Sequence, residues 1–137
     1  MMPFVLDASI VHDWAFDELH PTANVVRERL RTESAAAPSL WWFEVRNGLV
    51  AAERRGRVTG QRTAQFLREN LRLAITLDSS ANEADVLALA RRHRLTVYDA
   101  AYLELSVRED LPLATLDAAL IRAARAETVP LIGATGD

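Results

Sequence analysis

Short apolar runs alternate along the chain with longer amphipathic segments. The short runs are rich in aliphatic residues and end at polar positions, a pattern that predicts buried strands. We predict strands at 4–7, 35–38, 73–78, 95–97, 112–117 and 129–133. The amphipathic segments predict helices at 8–16, 23–30, 40–55, 60–71, 81–92, 99–108 and 118–126.

Strands that alternate with helices in this way indicate an α/β fold. We expect a central parallel sheet with helices on both faces, arranged as three layers. No linker or repeat divides the sequence, so we expect one domain over 1–133 and a flexible tail at 134–137. In such sheets, ligands bind beyond the carboxyl ends of the strands.

Several polar residues stand where helix caps are expected. Ser39 precedes the helix over 40–55, which Gly56 ends, and Thr59 precedes the helix that follows. The segment 80–83 has the form of a capping box for the helix over 81–92. Asp99 stands at the start of the helix over 99–108.

Composition narrows the possible chemistry. The chain of 137 residues has no cysteine, which excludes disulfides and thiolate zinc sites and fits a reducing compartment. Its basic residues are all arginine, which excludes mechanisms that need a lysine, such as Walker-type ATPases. A formal net charge of −3 argues against a uniformly basic surface that holds nucleic acid. The N-terminus is a poor signal peptide and no apolar stretch could span a bilayer, so we expect a cytoplasmic protein without membrane contact.

Four acids are candidates for a site, and three of them fall at the carboxyl-end positions where a parallel sheet binds ligands. Asp7 and Asp117 end predicted strands, Asp99 begins a helix, and Glu44 lies in the early turns of another. Carboxylates brought together repel one another unless a cation neutralises them. Mg²⁺ and Mn²⁺ prefer oxygen ligands, and such a site can activate water for phosphodiester hydrolysis.

Each acid also has a purely structural interpretation. Asp117 can cap the helix that follows it, Asp99 can favour a helix dipole, and Glu44 can be an exposed helix residue. Asp7 is harder to explain in this way, because a carboxylate at the end of an apolar strand is costly to bury without a partner. Possible supporting residues are Ser9, Thr115 and Asn47, although each of these also has an ordinary structural role.

Other residue types give weaker signals. The three histidines, at 12, 20 and 93, lack metal-ligand spacing. Two arginine groups are candidates for RNA phosphates or for solvated helix ends, and they include Arg54 and Arg55, and Arg91 and Arg92. Trp41, Trp42 and Phe43 are consecutive, so they cannot all face one core, and at least one should lie near a groove or an interface.

Four segments together resemble a known family. FVLDAS, FEVRNGL, LTVYDAAYLELS and PLATLD occur in the order and spacing of the PIN domains of VapC toxins, and the resemblance covers nearly the whole chain. It implies a PIN-like, Rossmann-like domain with a metal site of Asp7, Glu44, Asp99 and Asp117, supported by Ser9 and Thr115.

The resemblance also implies an activity and partners. The expected enzyme is a Mg²⁺-dependent endoribonuclease, with Mn²⁺ able to substitute, that cuts single-stranded regions of tRNA, ribosomal RNA or messenger RNA. Cleavage would leave 5′-phosphate and 3′-hydroxyl ends. The family further implies a homodimer and a VapB-type antitoxin, whose C-terminal segment docks in a hydrophobic groove and presents an arginine to the acids.

Three alternatives stay open from the sequence. The chain could be a housekeeping PIN nuclease of RNA maturation, which the residues do not separate from a toxin. It could be a phosphatase with Asp7 as nucleophile, although that family has a second aspartate where Ser9 stands. It could also be a non-catalytic α/β binding module whose acids only cap helices.

Overall fold

The computed structural model describes residues 3–70 and 72–133, and the predicted tail at 134–137 lies outside them. The strands are β1 (Phe4–Leu6), β2 (Ala35–Pro38), β3 (Ile75–Asp78) and β4 (Leu113–Ala114). The helices are α1 (Ala8–Ala15), α2 (Pro21–Arg29), α3 (Leu40–Arg54), α4 (Gly60–Glu69), α5 (Glu83–His93), α6 (Val97–Glu109) and α7 (Ala118–Ala126).

The four strands form one parallel sheet in the order β3-β2-β1-β4. The central strand β1 aligns Val5 with Leu113 of β4 and with Ala36 of β2. Parallel pairing brings all the carboxyl ends to one edge, and the segments after β1 and β4 therefore begin side by side. The predicted α/β fold with a parallel sheet is confirmed.

Helices cover both faces of this sheet. Phe4 and Leu6 of β1 point to one side, into a core completed by α1, α2, α3 and α4. Val5 points to the other side, into a core completed by α5, α6 and α7. This alternation is the period of two that a strand imposes, and it explains why all three residues are fully buried. None of the helices described is long and apolar enough to cross a lipid bilayer.

Three predicted strands are wrong in type or extent, and one of them, predicted at 112–117, covers only Leu113–Ala114. The segment 95–97 is not a strand, because Thr96 caps α6 by accepting a hydrogen bond from the backbone N–H of Asp99 at 3.0 Å. Helix α6 therefore begins at Val97, before Asp99. The predicted strand at 129–133 reduces to one bridge, between Leu131 and Leu113. The error at 95–97 arose because Thr96, a β-branched residue, suits a helix cap as well as a strand.

Two helix caps in the structure also differ from the predicted ones. Helix α5 is capped by Asn82, which accepts from the backbone N–H of Asp85, whereas the backbone N–H of Ser80 bonds Asp78 in the turn after β3. Ser39 precedes α3 as predicted, but its side chain makes no capping bond. Thr59 does cap α4, through a 3.0 Å bond from the backbone N–H of Arg62.

Candidate functional site

Asp7 follows β1 at the carboxyl edge of the sheet and is only 5% exposed. Two hydroxyls donate to the same carboxylate oxygen, Oδ2: that of Ser9 at 2.6 Å and that of Thr115 at 2.7 Å. Ser9 belongs to α1, whereas Thr115 follows β4, so the contact exists only because β1 and β4 are neighbours. Asp7 is therefore held from two segments that are distant in sequence.

Backbone N–H groups fix the direction of both hydroxyls. The N–H of Leu116 donates to Ser9 Oγ at 2.9 Å, and the N–H of Asp117 donates to Thr115 Oγ1 at 3.0 Å. Because these bonds use oxygen lone pairs, each O–H is left to donate to Asp7. The loop after β4 thus orients Asp7 as well as carrying Asp117.

Glu44 enters the same region from the first turns of α3. Its Oε1 accepts a 2.6 Å hydrogen bond from the hydroxyl of Tyr102, a residue of α6 that is fully buried. Burial, the charge of Asp7 and the bond to Glu44 all raise the pKa of Tyr102, so its hydroxyl stays protonated and acts as the donor. The sequence analysis missed Tyr102, although it lies one helical turn after Asp99 and so shares its face of α6.

Asp117 and Asp99 stand at the starts of two helices. Asp117 caps α7, since its Oδ2 accepts a 2.9 Å bond from the backbone N–H of Leu120. Its structural interpretation is therefore correct, but it does not exclude a second role, because Asp117 also lines the cleft described next. Within residues 3–70 and 72–133, no hydrogen bond or ion pair reaches the carboxylate of Asp99.

These acids line one open cleft of about 260 Å³. The side chains at its wall come from the carboxyl edge of the sheet and from α1, α3 and α6: Asp7, Ala8, Ser9, His12, Glu44, Asn47, Gly48, Asp99 and Asp117. The structure thus brings together the four acids that the sequence singled out, with Ser9 and Asn47 beside them. No arginine is among these wall residues.

The cleft opposes the ionisation of its acids. Burial raises the pKa of Asp7, and the charge of Asp117 adds to this, against the lowering effect of the two hydroxyl bonds. Burial likewise raises the pKa of Glu44, with a further contribution from Asp7. For Asp99, burial and repulsion from Asp117, Asp7 and Glu44 raise the pKa to about 6. The site concentrates negative charge that the chain itself does not neutralise.

A hard divalent cation suits this donor set. Across the described ranges, no three His, Cys, Asp or Glu side chains converge closely enough to enclose a metal ion. Magnesium does not need such a cage, because it usually keeps several waters and takes only one or two carboxylates. The oxygen-only chemistry of the cleft acids therefore fits a hydrated divalent ion, which would relieve their mutual repulsion.

The predicted arginines lie away from the cleft. Arg54 and Arg55 are exposed at the end of α3, about 15 Å along the helix from Glu44. On α5, Arg91 is exposed, and Arg92 forms a 2.6 Å ion pair with Glu127. None of the four arginines contacts the acids in the part of the chain described.

The aromatic run divides between interior and surface, as the adjacency of its residues requires. Trp41 packs against both cores, whereas Trp42 and Phe43 are 44% and 69% exposed. Tyr98, which precedes Asp99, is also exposed, at 62%. Two large exposed aromatic residues therefore stand directly before cleft acids, Phe43 before Glu44 and Tyr98 before Asp99.

His12 is a second residue of this region that the sequence analysis did not select. Its Nε2 lies 3.1 Å from the carbonyl oxygen of Glu44 and 3.2 Å from that of Val45, so it bonds the backbone of α3. The spacing of histidines in the sequence gave no signal for it, because its partners are backbone atoms.

Comparison with known proteins gives a consistent result. The family model described as PIN domain matches residues 4–126. The crystal structure of PAE2754 from Pyrobaculum aerophilum has a TM-score of 0.71 and 23% sequence identity, and the match covers 89% of this chain and 84% of that chain. At this identity the likeness concerns the fold alone. No curated protein matches the sequence significantly.

Proposed function

Because this chain belongs to the PIN-domain family, we propose that it is a divalent-metal-dependent endoribonuclease and the toxin of a VapBC-type pair. The observation that carries the proposal is the cleft in which Asp7, Glu44, Asp99 and Asp117 meet, with no arginine among its described wall residues. The raised pKa values of Asp7, Glu44 and Asp99 support the proposal, because acids that serve only as helix caps have no need to be buried beside one another.

Each side chain has a role in this proposal. The four acids would surround a hydrated Mg²⁺, with Mn²⁺ able to replace it, and one or two of their carboxylates would bind the ion directly. Such an ion would supply a bound water of lowered pKa and stabilise the negative charge that develops on the leaving oxygen. The hydroxyls of Ser9 and Thr115 orient Asp7 by donating to Oδ2, and they favour its ionised form against the opposing effect of burial.

The remaining roles concern the second wall of the cleft. Tyr102 orients Glu44 through its 2.6 Å bond, so that the free carboxylate oxygen can face the cleft. Asn47 lies on the same wall and offers an amide to the substrate phosphate. No histidine or serine nucleophile is required in such a mechanism.

The proposed substrate is a single-stranded region of tRNA, ribosomal RNA or messenger RNA, cut to leave 5′-phosphate and 3′-hydroxyl ends. The exposed rings of Phe43 and Tyr98 favour the proposal of a single-stranded substrate. Unpaired bases can stack on aromatic side chains, whereas paired bases are not free to do so. None of Arg54, Arg55, Arg91 and Arg92 lines the cleft, and we assign them to phosphates that flank the scissile one.

An apolar groove of about 230 Å³ supports the proposal that the protein binds a protein partner. It lies between α3, α4 and β3, and its walls include Trp41, Trp42 and Phe66. The indole N–H of Trp41 is buried in this region, and among the described residues it has no hydrogen-bond partner. We assign the groove to the C-terminal segment of a VapB-type antitoxin, and we expect the protein to act as a homodimer.

Two of the alternatives explain less. In a phosphatase, the carboxylate of Asp7 would attack phosphate, yet its Oδ2 already accepts two hydroxyl bonds and the residue is buried. A binding module whose acids only cap helices does not account for Asp7 and Asp99. Among the described residues, neither side chain makes a capping hydrogen bond, and both line the same cleft.

The test of the activity is cleavage of a mixed tRNA and ribosomal RNA pool with Mg²⁺ or Mn²⁺. Wild type is compared with Asp7→Asn and Asp99→Asn, and with Asp85→Asn as a control in the first turn of α5, outside the cleft. We expect discrete fragments that disappear with EDTA and in both cleft variants but persist in the control. Intact RNA from folded, metal-loaded wild type would contradict the proposal.

The test of the toxin role is expression in a bacterial host with and without the adjacent small open reading frame. A toxin arrests growth, and the adjacent product relieves the arrest. Normal growth during expression of protein that cleaves RNA in vitro would favour a housekeeping nuclease.

A further inference from the structure

The ring of His12 lies against the backbone of α3. Its Nε2 is within hydrogen-bond distance of two successive carbonyl oxygens, 3.1 Å from that of Glu44 and 3.2 Å from that of Val45. Carbonyl oxygens accept only, so Nε2 must carry a hydrogen and donate to both. On its other side the ring stacks on Phe16, with centroids 6.0 Å apart.

Gly48 makes this approach possible. A Cβ added at residue 48 would stand 2.2 Å from Nε2 and 2.4 Å from Cε1 of His12, so any side chain there would displace the ring. Glycine within a helix is unfavourable relative to alanine, and α3 nevertheless has glycine at the point of contact. The close contact of the ring with α3 is therefore specific to this pair.

The contact lies next to the cleft on both helices. His12 is about one turn after Ser9 on α1, and Gly48 is about one turn after Glu44 on α3. Asp7 immediately precedes α1, so the relative position of the two helices sets how Asp7 and Glu44 face each other across the cleft.

We propose that His12 is a positioning residue, which fixes the spacing of Asp7 and Glu44 for a divalent cation by bonding the α3 backbone through Nε2. The identity of the bound ion rests on the proposed function, whereas the spacing itself does not. Outer groups that orient metal ligands commonly change metal affinity by about 10–100-fold when they are removed.

Three substitutions at residue 12 separate the hydrogen bond from the packing. In His12→Gln, the amide nitrogen reaches about as far from the backbone as Nε2 and can donate. In His12→Asn, the amide nitrogen is one carbon too short. In His12→Phe, the ring shape is kept but the donor is lost. The control is His20→Asn at the start of α2, away from the cleft.

The first readout is Mn²⁺ affinity, measured by calorimetry on variants whose melting temperatures are also recorded. We expect His12→Asn and His12→Phe to bind Mn²⁺ about tenfold more weakly, and His12→Gln to recover most of the affinity. Wild-type affinity in His12→Phe, or losses in all three variants that follow only their melting temperatures, would overturn the proposal.

The second readout needs no metal. Crystal structures of the metal-free variants should show α3 moved away from α1 beside Gly48 in His12→Asn but not in His12→Gln. Gly48→Ala should lower the melting temperature of the wild type and raise that of His12→Ala, because the clash needs the imidazole. If wild type fails to bind Mn²⁺, the proposed function fails, and these measurements still decide whether His12 sets the spacing.

Discussion

Asp99→Asn is expected to stabilise the metal-free protein while abolishing its activity. The pKa of Asp99 rises from 3.8 to about 6 on folding, because burial and three neighbouring acids oppose its charge. A carboxyl group whose pKa is higher in the folded state than in the unfolded state binds its proton more tightly when the protein is folded. Its ionisation therefore lowers the free energy of unfolding. Stability should therefore fall as the pH rises from about 4 to about 6, and asparagine removes this loss.

The size of the effect follows from the pKa shift. Taken at about 1.4 kcal/mol per unit, the shift corresponds to about 3 kcal/mol. Asp99 is partly exposed, so solvent screening reduces the contribution to about 1–2 kcal/mol. Asparagine also loses a favourable interaction with the N-terminus of α6, worth about 0.5 kcal/mol. The net gain at pH 7.5 is about 1 kcal/mol, or about 4 °C in melting temperature.

The assay is thermal unfolding in EDTA between pH 3.5 and 8, with Asp85→Asn as the matched control. Asp85 occupies the same position in the first turn of α5, with its backbone N–H bonded to the capping residue as in α6, but it lies outside the cleft. The higher melting temperature of Asp99→Asn should vanish at pH 3.5. At pH 7.5, excess Mn²⁺ should make the wild type the more stable of the two proteins. An equal gain at all pH values, or the same profile in Asp85→Asn, would refute the electrostatic reasoning.

Three further predictions follow from the same contacts. Thr115→Val should destabilise the protein by about 1–3 kcal/mol in urea unfolding, because the buried Asp7 loses one of its two hydroxyl donors; an unchanged midpoint would contradict this. Tyr102→Phe should lower kcat in the RNA cleavage assay by about tenfold with little change in KM, because Glu44 loses its orienting donor; a pure KM effect would place Tyr102 in substrate binding instead. Mn²⁺ at about 100 times its Kd should stabilise the wild type by about 2.7 kcal/mol, and EDTA should reverse this gain. A melting temperature that does not change when Mn²⁺ is added would exclude binding to the folded state.

The sequence alone predicted the α/β fold and singled out the four acids that line the cleft. Strand and helix periodicity determine the parallel sheet, and Asp7 and Asp117 follow strands that lie side by side, so their proximity follows from the topology. Glu44 and Asp99 were candidates from their positions early in helices, but such a position does not determine which way a carboxylate points, and the family resemblance supported their assignment.

The residues that support the acids were not predictable in the same way. Tyr102 stands between Ala101 and Leu103 in an apolar stretch of the sequence, so it looked like an ordinary core residue. The partners of His12 are carbonyl groups, which every residue has, and only the packing of α1 on α3 selects those of Glu44 and Val45. Thr96 was assigned to a strand because its side chain suits both a strand and a helix cap, and tertiary context decided between them.

The most direct test of the central claim is an anomalous difference map from crystals of this protein soaked in Mn²⁺. The account predicts a peak in the cleft, within bonding distance of at least one of Asp7, Asp99, Asp117 and Glu44. Well-ordered crystals with no Mn²⁺ in the cleft, from protein at a pH where these acids are ionised, would contradict the claim that they form a metal site.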